Sequence, residues 1–211
     1  MNQFYFKRVI EKIQYNFIPV YNVKDNSLLG YKIIKDFNPV GFNDKDLMYQ
    51  MAYEKGIFEE FILELLHKAY KMAIEKNLTD CFLFYTLRMN FVSSEREFFT
   101  KINNMVKKLN LKSENLIFDI KYINNWSSFY EKIEDIYHYK IILKENRGER
   151  INITAIRDSK TALLEFRTIE HLKNLRSDIP RDIKLIFDLA YDDSITVDDL
   201  KNLDVDYYYK Y

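Results

Sequence analysis

Two carboxylates sit inside short apolar runs: Asp119 in LIFDI, residues 116–120, and Asp188 in the LIFDL that ends IKLIFDL, residues 183–189. Short apolar runs bounded by turn residues read as strands buried on both faces. A buried acid there needs a cation, a hydrogen-bond donor or a metal ion. Hard divalent cations take carboxylate and carbonyl oxygens, which is the first chemistry this sequence offers. Little competes with it. The chain has no G-x-G-x-x-G, no G-x-x-x-x-G-K-[ST] and no H-E-x-x-H, and its 4 glycines and 3 histidines are scattered. Cys81 lies in CFLF and reads as a buried, inert thiol. His67, alone on an amphipathic stretch, reads as structural. Tyr207, Tyr208, Tyr209 and Tyr211 could stack on bases, but the simpler reading is a strand whose alternate rings face the core and a partner surface.

The elements that must position these acids follow from periodicity. The stretch FIPVYNVKDNSLLGYKIIKDF, from Phe17 to Phe37, alternates apolar residues with others, turns at Asp25-Asn26-Ser27 and resumes an apolar run at Leu28. This is a β-hairpin-like unit. Before it, Phe4, Val9, Ile13 and Phe17 are spaced for a lead-in helix over residues 1–16, and after it FNPVGF, residues 37–42, reads as loop. Asn43-Asp44 starts a helix. Residues 58–76 carry apolar side chains at helical spacing, and residues 95–110 do the same with Phe98, Phe99, Ile102, Met105, Val106 and Leu109. Strands are expected at 81–87, 116–120, 139–143, 183–189 and 205–209. Shorter helices are expected at 126–137, around Ile153 and Ile156, at 171–175 and at 197–203. Strand, strand, then helix and strand in alternation suits a (β/α)8-type barrel better than an open sheet.

The opening hairpin resembles the start of the EAL family, the cyclic di-GMP phosphodiesterase domain, which reads roughly F-x-P-(apolar)-x-(apolar) and then G-Y-E-A-L-x-R. Pro19, Gly30 and Tyr31 fit, and A-Y-E-K-G-I, Ala52 to Ile57, is close to the family's A-E-x-x-G-(apolar). The resemblance, over roughly residues 15 to 209, implies an α/β fold: a trimmed TIM-like barrel of EAL type with one antiparallel strand and the last helix missing.

It also implies where the family's chemistry would lie, and there the residues differ. The signature glutamate, a metal ligand, falls on Lys32, and the ligand-contacting arginine on Asp36. The metal-bound asparagine of N-x-S falls on Thr86. Asp119 keeps one acid of (apolar)-E-(apolar)-T-E, with Lys121 and Tyr122 after it. D-D-F-G falls on Lys144-Glu145-Asn146-Arg147, the water-activating lysine on Glu165 and the next acid on Arg167. In A-E-G-V-E, Asp188 stands at the first acid and Tyr191 at the second.

Barrel sites lie at the C-terminal ends of strands, so the resemblance puts Lys32, Thr86, Asp119, Lys144, Glu145, Glu165 and Asp188 around one mouth. An ammonium at Lys32 cannot hold a divalent cation. The implied state is a fold kept without its reaction, with no catalytic residue, metal or cofactor. Glu165 and Lys144 are expected to form a compensating ion pair, and the remaining acids to be neutralised by Lys32, Lys121 and Arg167. The alternative is a new metal arrangement, or an enzyme of another class, built on Asp119, Glu145, Glu165 and Asp188.

Composition bounds the partners. Lys plus Arg and Asp plus Glu both total 32, so no global field draws in nucleic acid or an anionic membrane. The first ten residues are charged and lack an apolar h-region, and no apolar run nears the ~20 residues that span a bilayer. A cytoplasmic, non-membrane protein is expected. The 211 residues suit one domain, with 17 Tyr and 16 Phe filling its core. The resemblance then implies a non-catalytic module of bacterial signalling that acts through a protein partner or a second copy. On this reading cyclic di-GMP is not expected to bind, because Asp36 would bring negative charge to a phosphate; a receptor that binds it without hydrolysis is the alternative.

Overall fold

The chain reverses once, between β1 (Gln14–Asn22) and β2 (Leu28–Asp36), with Asn26 at a positive φ of 58° in the turn. Every later strand runs parallel to β2. The computed structural model describes residues 3–41, 44–123, 125–133, 136, 138–145, 151, 153–192 and 194–211. After the lead-in α1 (Gln3–Lys12) and the hairpin come α2 (Lys45–Glu54), α3 (Phe58–Glu75), β3 (Phe82–Arg88), α4 (Glu95–Lys108), β4 (Leu116–Lys121) and α5 (Trp126–Lys132). The second half continues with β5 (Lys140–Lys144), α6 (Ile153–Asp158), β6 (Leu163–Phe166), α7 (Ile169–Leu175), β7 (Lys184–Asp188), α8 (Val197–Asn202) and β8 (Tyr207–Tyr209). The strands close into a barrel in sequence order, β1 lying antiparallel to both β2 and β8.

Period-two alternation builds two apolar layers. Val20, Phe84, Ile117, Ile142, Leu163 and Ile186 point into the barrel and fill it. Their neighbours Leu83, Tyr85, Phe118 and Ile141 point outward against the helices of the first half, and Leu164, Phe166, Leu185 and Phe187 against those of the second. Gly30 pairs with Phe82, and a Cβ on it would lie 2.1 Å from the Phe82 carbonyl oxygen. The close approach of β2 to β3 therefore requires glycine.

Several boundaries differ from the sequence reading. The lead-in helix stops at Lys12, because Gln14 to Phe17 pair with Asp36 to Ile33 and so belong to β1. Val9 and Ile13 are buried, but Phe4 is 71% exposed. The helix expected to reach Tyr137 ends at Lys132, and Tyr137 lies outside the described residues, as do Phe42, Asn43, Asn146 and Arg147. β6 is a strand the periodicity argument leaves out; it has four residues and follows a turn in which Lys160 has a positive φ. Cys81 precedes β3 and is half-buried, not buried as expected. Among the described residues, no helix is long and apolar enough to cross a membrane.

Candidate functional site at the barrel mouth

One layer above the apolar filling, the inward positions change character. β2 contributes Lys32, β3 Thr86, β4 Asp119, β5 Lys144, β6 Glu165, β7 Asp188 and β8 Tyr209. Register brings neighbours side by side: Thr86 with Asp119, Lys144 with Glu165, Asp188 with Tyr209. The layer follows from the pleat, since each of these residues except Lys32, which follows Gly30, is two positions beyond an apolar barrel residue.

Glu165, 1% exposed, is the hub. It is ion-paired to Lys32, lies 2.9 Å from the Lys144 ammonium, and accepts the Tyr209 hydroxyl at 2.7 Å. The expected Lys144–Glu165 pair is present, and Lys32 joins it. Burial alone would raise the Glu165 carboxyl, but the two ammonium groups outweigh it and hold it well below the usual carboxylate range. Burial pulls Lys32 down to about 8 against the attraction of Glu165, so it stays charged near neutrality. Lys144 is raised, the pull of Glu165 exceeding the burial penalty. Tyr209 also reaches Asp188 at 2.6 Å. Its single hydrogen serves one carboxylate at a time, and burial beside both acids raises its pKa well above the usual value. Asp188 faces Arg167 at 3.5 Å, and Asp119 is met by Lys121 at 3.1 Å and the Thr86 hydroxyl at 3.1 Å.

Glu145 is the exception among the residues expected at the mouth. It does not line the cavity. As the residue after the inward-facing Lys144, it points to the other side. Its carboxylate accepts the backbone N–H groups of Arg167 and Thr168 at 2.7 and 3.2 Å, the Thr168 hydroxyl, and a bond with His171 Nδ1 at 2.9 Å. Burial would raise Glu145, but these donors lower it. Nε2 of His171 faces the Ile151 carbonyl at 3.1 Å, so Glu145 anchors α7 to the segment before α6 and does structural work.

The mouth opens into a cavity of about 430 Å³. Lys32, Lys35, Lys45, Arg88, Lys144 and Arg167 line it, six cationic side chains against the three carboxylates Asp119, Glu165 and Asp188. Tyr49, Tyr85, Tyr191, Tyr209 and Tyr211 supply aromatic surface. Lys35 and Lys45 carry no signal in the sequence, and Tyr209, which reads there as one ring of a tyrosine-rich strand, joins them at the mouth. Arg88, two residues beyond Thr86 on the same strand face, was legible by period two. Asp36 does not line the cavity; its carboxylate accepts the Asn38 N–H at 2.9 Å, and the adjacent Lys35 faces the opening instead. The negative charge expected beside a phosphate is therefore not there.

The charges at the mouth are mutually satisfied: each of its carboxylates already has a cationic partner, and among the described residues no cluster of three or more His, Cys, Asp or Glu is placed to hold a metal ion.

No protein-family model matches the sequence, and no curated protein matches it. Solved structures match in shape. The Bacillus subtilis YkuI protein, with an EAL domain and in complex with substrate c-di-GMP and calcium, superposes with a TM-score of 0.71 at 15% identity, covering 100% of this chain and 57% of YkuI. An EAL domain protein from Listeria monocytogenes EGD-e gives 0.69 at 14% identity, covering 100% of this chain and 92% of its own. The Xanthomonas citri FimX EAL domain in complex with c-diGMP gives 0.70 at 12%, covering 98% and 89%. This chain thus spans less than two thirds of YkuI, and 62% of the EAL enzyme Bd1971. At these identities the likeness shows the fold: an EAL-type, TIM-like barrel with its first strand reversed.

Proposed function

We propose that this EAL-like barrel is a non-catalytic module of cyclic di-GMP-related bacterial signalling, acting through protein contacts. One observation carries the reading: Lys32 stands where the resemblance places the metal-binding glutamate, and it is locked to Glu165, which stands where the resemblance places the water-activating lysine. The charges are exchanged as a pair. Two-metal hydrolysis needs carboxylates free to clamp ions around a shared site, and a dication entering here meets Lys32 and Lys144 already seated on the central acid. Protein contact is supported by the rim, where Tyr122, Tyr191 and Tyr211 are 54, 54 and 63% exposed. Arg88 lies 5.6 Å from the Tyr122 ring and Arg167 lies 4.2 Å from that of Tyr191. Tyrosine and arginine are the residues enriched where proteins bind one another.

The test is incubation of the purified protein with cyclic di-GMP and Mg²⁺ or Mn²⁺. No linear dinucleotide is expected. Its metal-dependent appearance, lost in Glu165→Gln, overturns the proposal.

The excess of cations over carboxylates in the cavity, together with the position of Asp36 outside it, favours a second reading, a receptor that binds cyclic di-GMP without cleaving it. Calorimetric titration with the dinucleotide in the absence of divalent metal separates the two: silence supports a purely protein-binding role, and micromolar binding supports the receptor.

A further inference from the structure

One of the mouth's lysines stands apart from the ion pairs around Glu165. Lys35 donates from Nζ to the Thr86 carbonyl at 3.0 Å and lies 4.0 Å from the centre of the Tyr85 ring. Among the described residues, no carboxylate oxygen lies within ion-pair distance of it. The groups facing it from the packed elements are Arg88 and the Tyr85 ring from β3, Lys45 from α2 and Asp119 from β4, and Asp46 of α2 is paired with Arg88 at 2.5 Å. Tyr49 on α2 sits beneath Arg88, at 4.4 Å. A carbonyl accepts an N–H from a neutral amine as well as from an ammonium, so the contact with Thr86 does not require the extra proton.

We propose that Lys35 is a nucleophilic lysine that captures a small anionic carbonyl compound as an imine, with the anionic group lodged between Arg88 and Lys45. The proposal is independent of the signalling role argued above. A lysine desolvated beside other cations is the activated form of this nucleophile. Burial, then Arg88 and Lys45, bring Lys35 down to about 7, so much of it is free base near neutral pH. Lys32 and Lys144 are unsuited to the task, since both are seated on the Glu165 carboxylate. Arg88 and Lys45 line the same cavity, and although the exposed Asp46 takes one arm of the Arg88 guanidinium at 2.5 Å, the pair remains complementary to a phosphate or carboxylate. Its volume of about 430 Å³ suits a small metabolite.

The chemistry balances without a further reactant. The Nζ lone pair attacks the carbonyl carbon, and the C=O π pair moves to oxygen. That oxygen gains a proton as nitrogen loses one, giving a carbinolamine. The hydroxyl takes up a second proton and leaves as water while the nitrogen lone pair forms the C=N bond, and the iminium so formed returns its N–H proton to solvent to give the imine. One water is released, and nothing is oxidised or reduced.

The experiment treats the full chain with pyridoxal phosphate across pH 6 to 9, traps the imine with borohydride and maps the labelled peptides. Lys35 is expected to label first, with a midpoint near pH 7, and Lys35→Met to lose that label. If Lys35→Met does not fold, Lys45→Gln, a change at an exposed side chain, decides. It should weaken capture of pyridoxal phosphate several-fold more than capture of the neutral aldehyde propanal. Labelling of Lys35 no faster than surface lysines, or Lys45→Gln affecting both aldehydes alike, overturns the proposal.

Discussion

Glu165 carries one negative charge between two ammonium groups, and Tyr209 donates a hydrogen bond to it or to Asp188. Removing one member of such a buried network leaves uncompensated charge, which costs about 3–5 kcal/mol. Glu165→Gln is therefore expected to destabilise the fold by that order at pH 7, read from urea unfolding. Because the folded pKa of Glu165 lies below its unfolded value, its contribution is present above the ordinary carboxylate pKa and is lost as pH falls. The gap between wild type and Glu165→Gln should begin to narrow below about pH 4 and go on narrowing as the pH falls further. Lys35 has the opposite effect. Its folded pKa is lowered to about 7, so protonation opposes folding, and stability should rise between pH 7 and 10 as the unfolded chain alone keeps the proton. A rise on the order of 2 kcal/mol, allowing for partial exposure, is expected in wild type and should be absent in Lys35→Met.

Elements place these residues, and their start signals were partly legible. Asp44 was read as a helix start. Its carboxylate accepts the N–H groups of Asp46 and Leu47 at the N-terminus of α2, the helix that brings Lys45 and Tyr49 to the mouth. Asp44→Ala should cost about 1 kcal/mol in thermal or urea unfolding. Gly30 was read only as a scaffold match, and the structure gives the reason. Gly30→Ala drives a Cβ into the Phe82 carbonyl, so β2 and β3 must separate. A loss of roughly 1–3 kcal/mol or more is expected, with the largest loss of amide protection along β2–β3. Other elements were ambiguous for physical reasons. Ile13 and Phe17 satisfy a helical spacing and a strand at once, and only pairing with β2 resolves where α1 ends. β6 has too few residues for a period-two pattern to establish itself against background.

At the scale of the whole molecule, closure is uneven. β1 pairs with β2 over eight register positions but with β8 over two, while β8 holds β7 over three. Native-state hydrogen exchange should therefore show the β8–β1 seam opening at lower free energy than the hairpin; uniform protection around the barrel would contradict this. Taken alone, the sequence determined the alternation of strands and helices, the turn and glycine of the opening hairpin, and the presence of Lys32 and Glu165 at the ends of strands that face one mouth. Those are properties of residue type and spacing along one chain. Tertiary structure decided that Glu165 is shared by Lys32 as well as Lys144, that Glu145 turns away to anchor α7, and that Lys35 rather than Asp36 faces the cavity. Which side chains meet across a barrel depends on the register of every strand between them and on closure through β8, and neither is written in any local stretch of sequence.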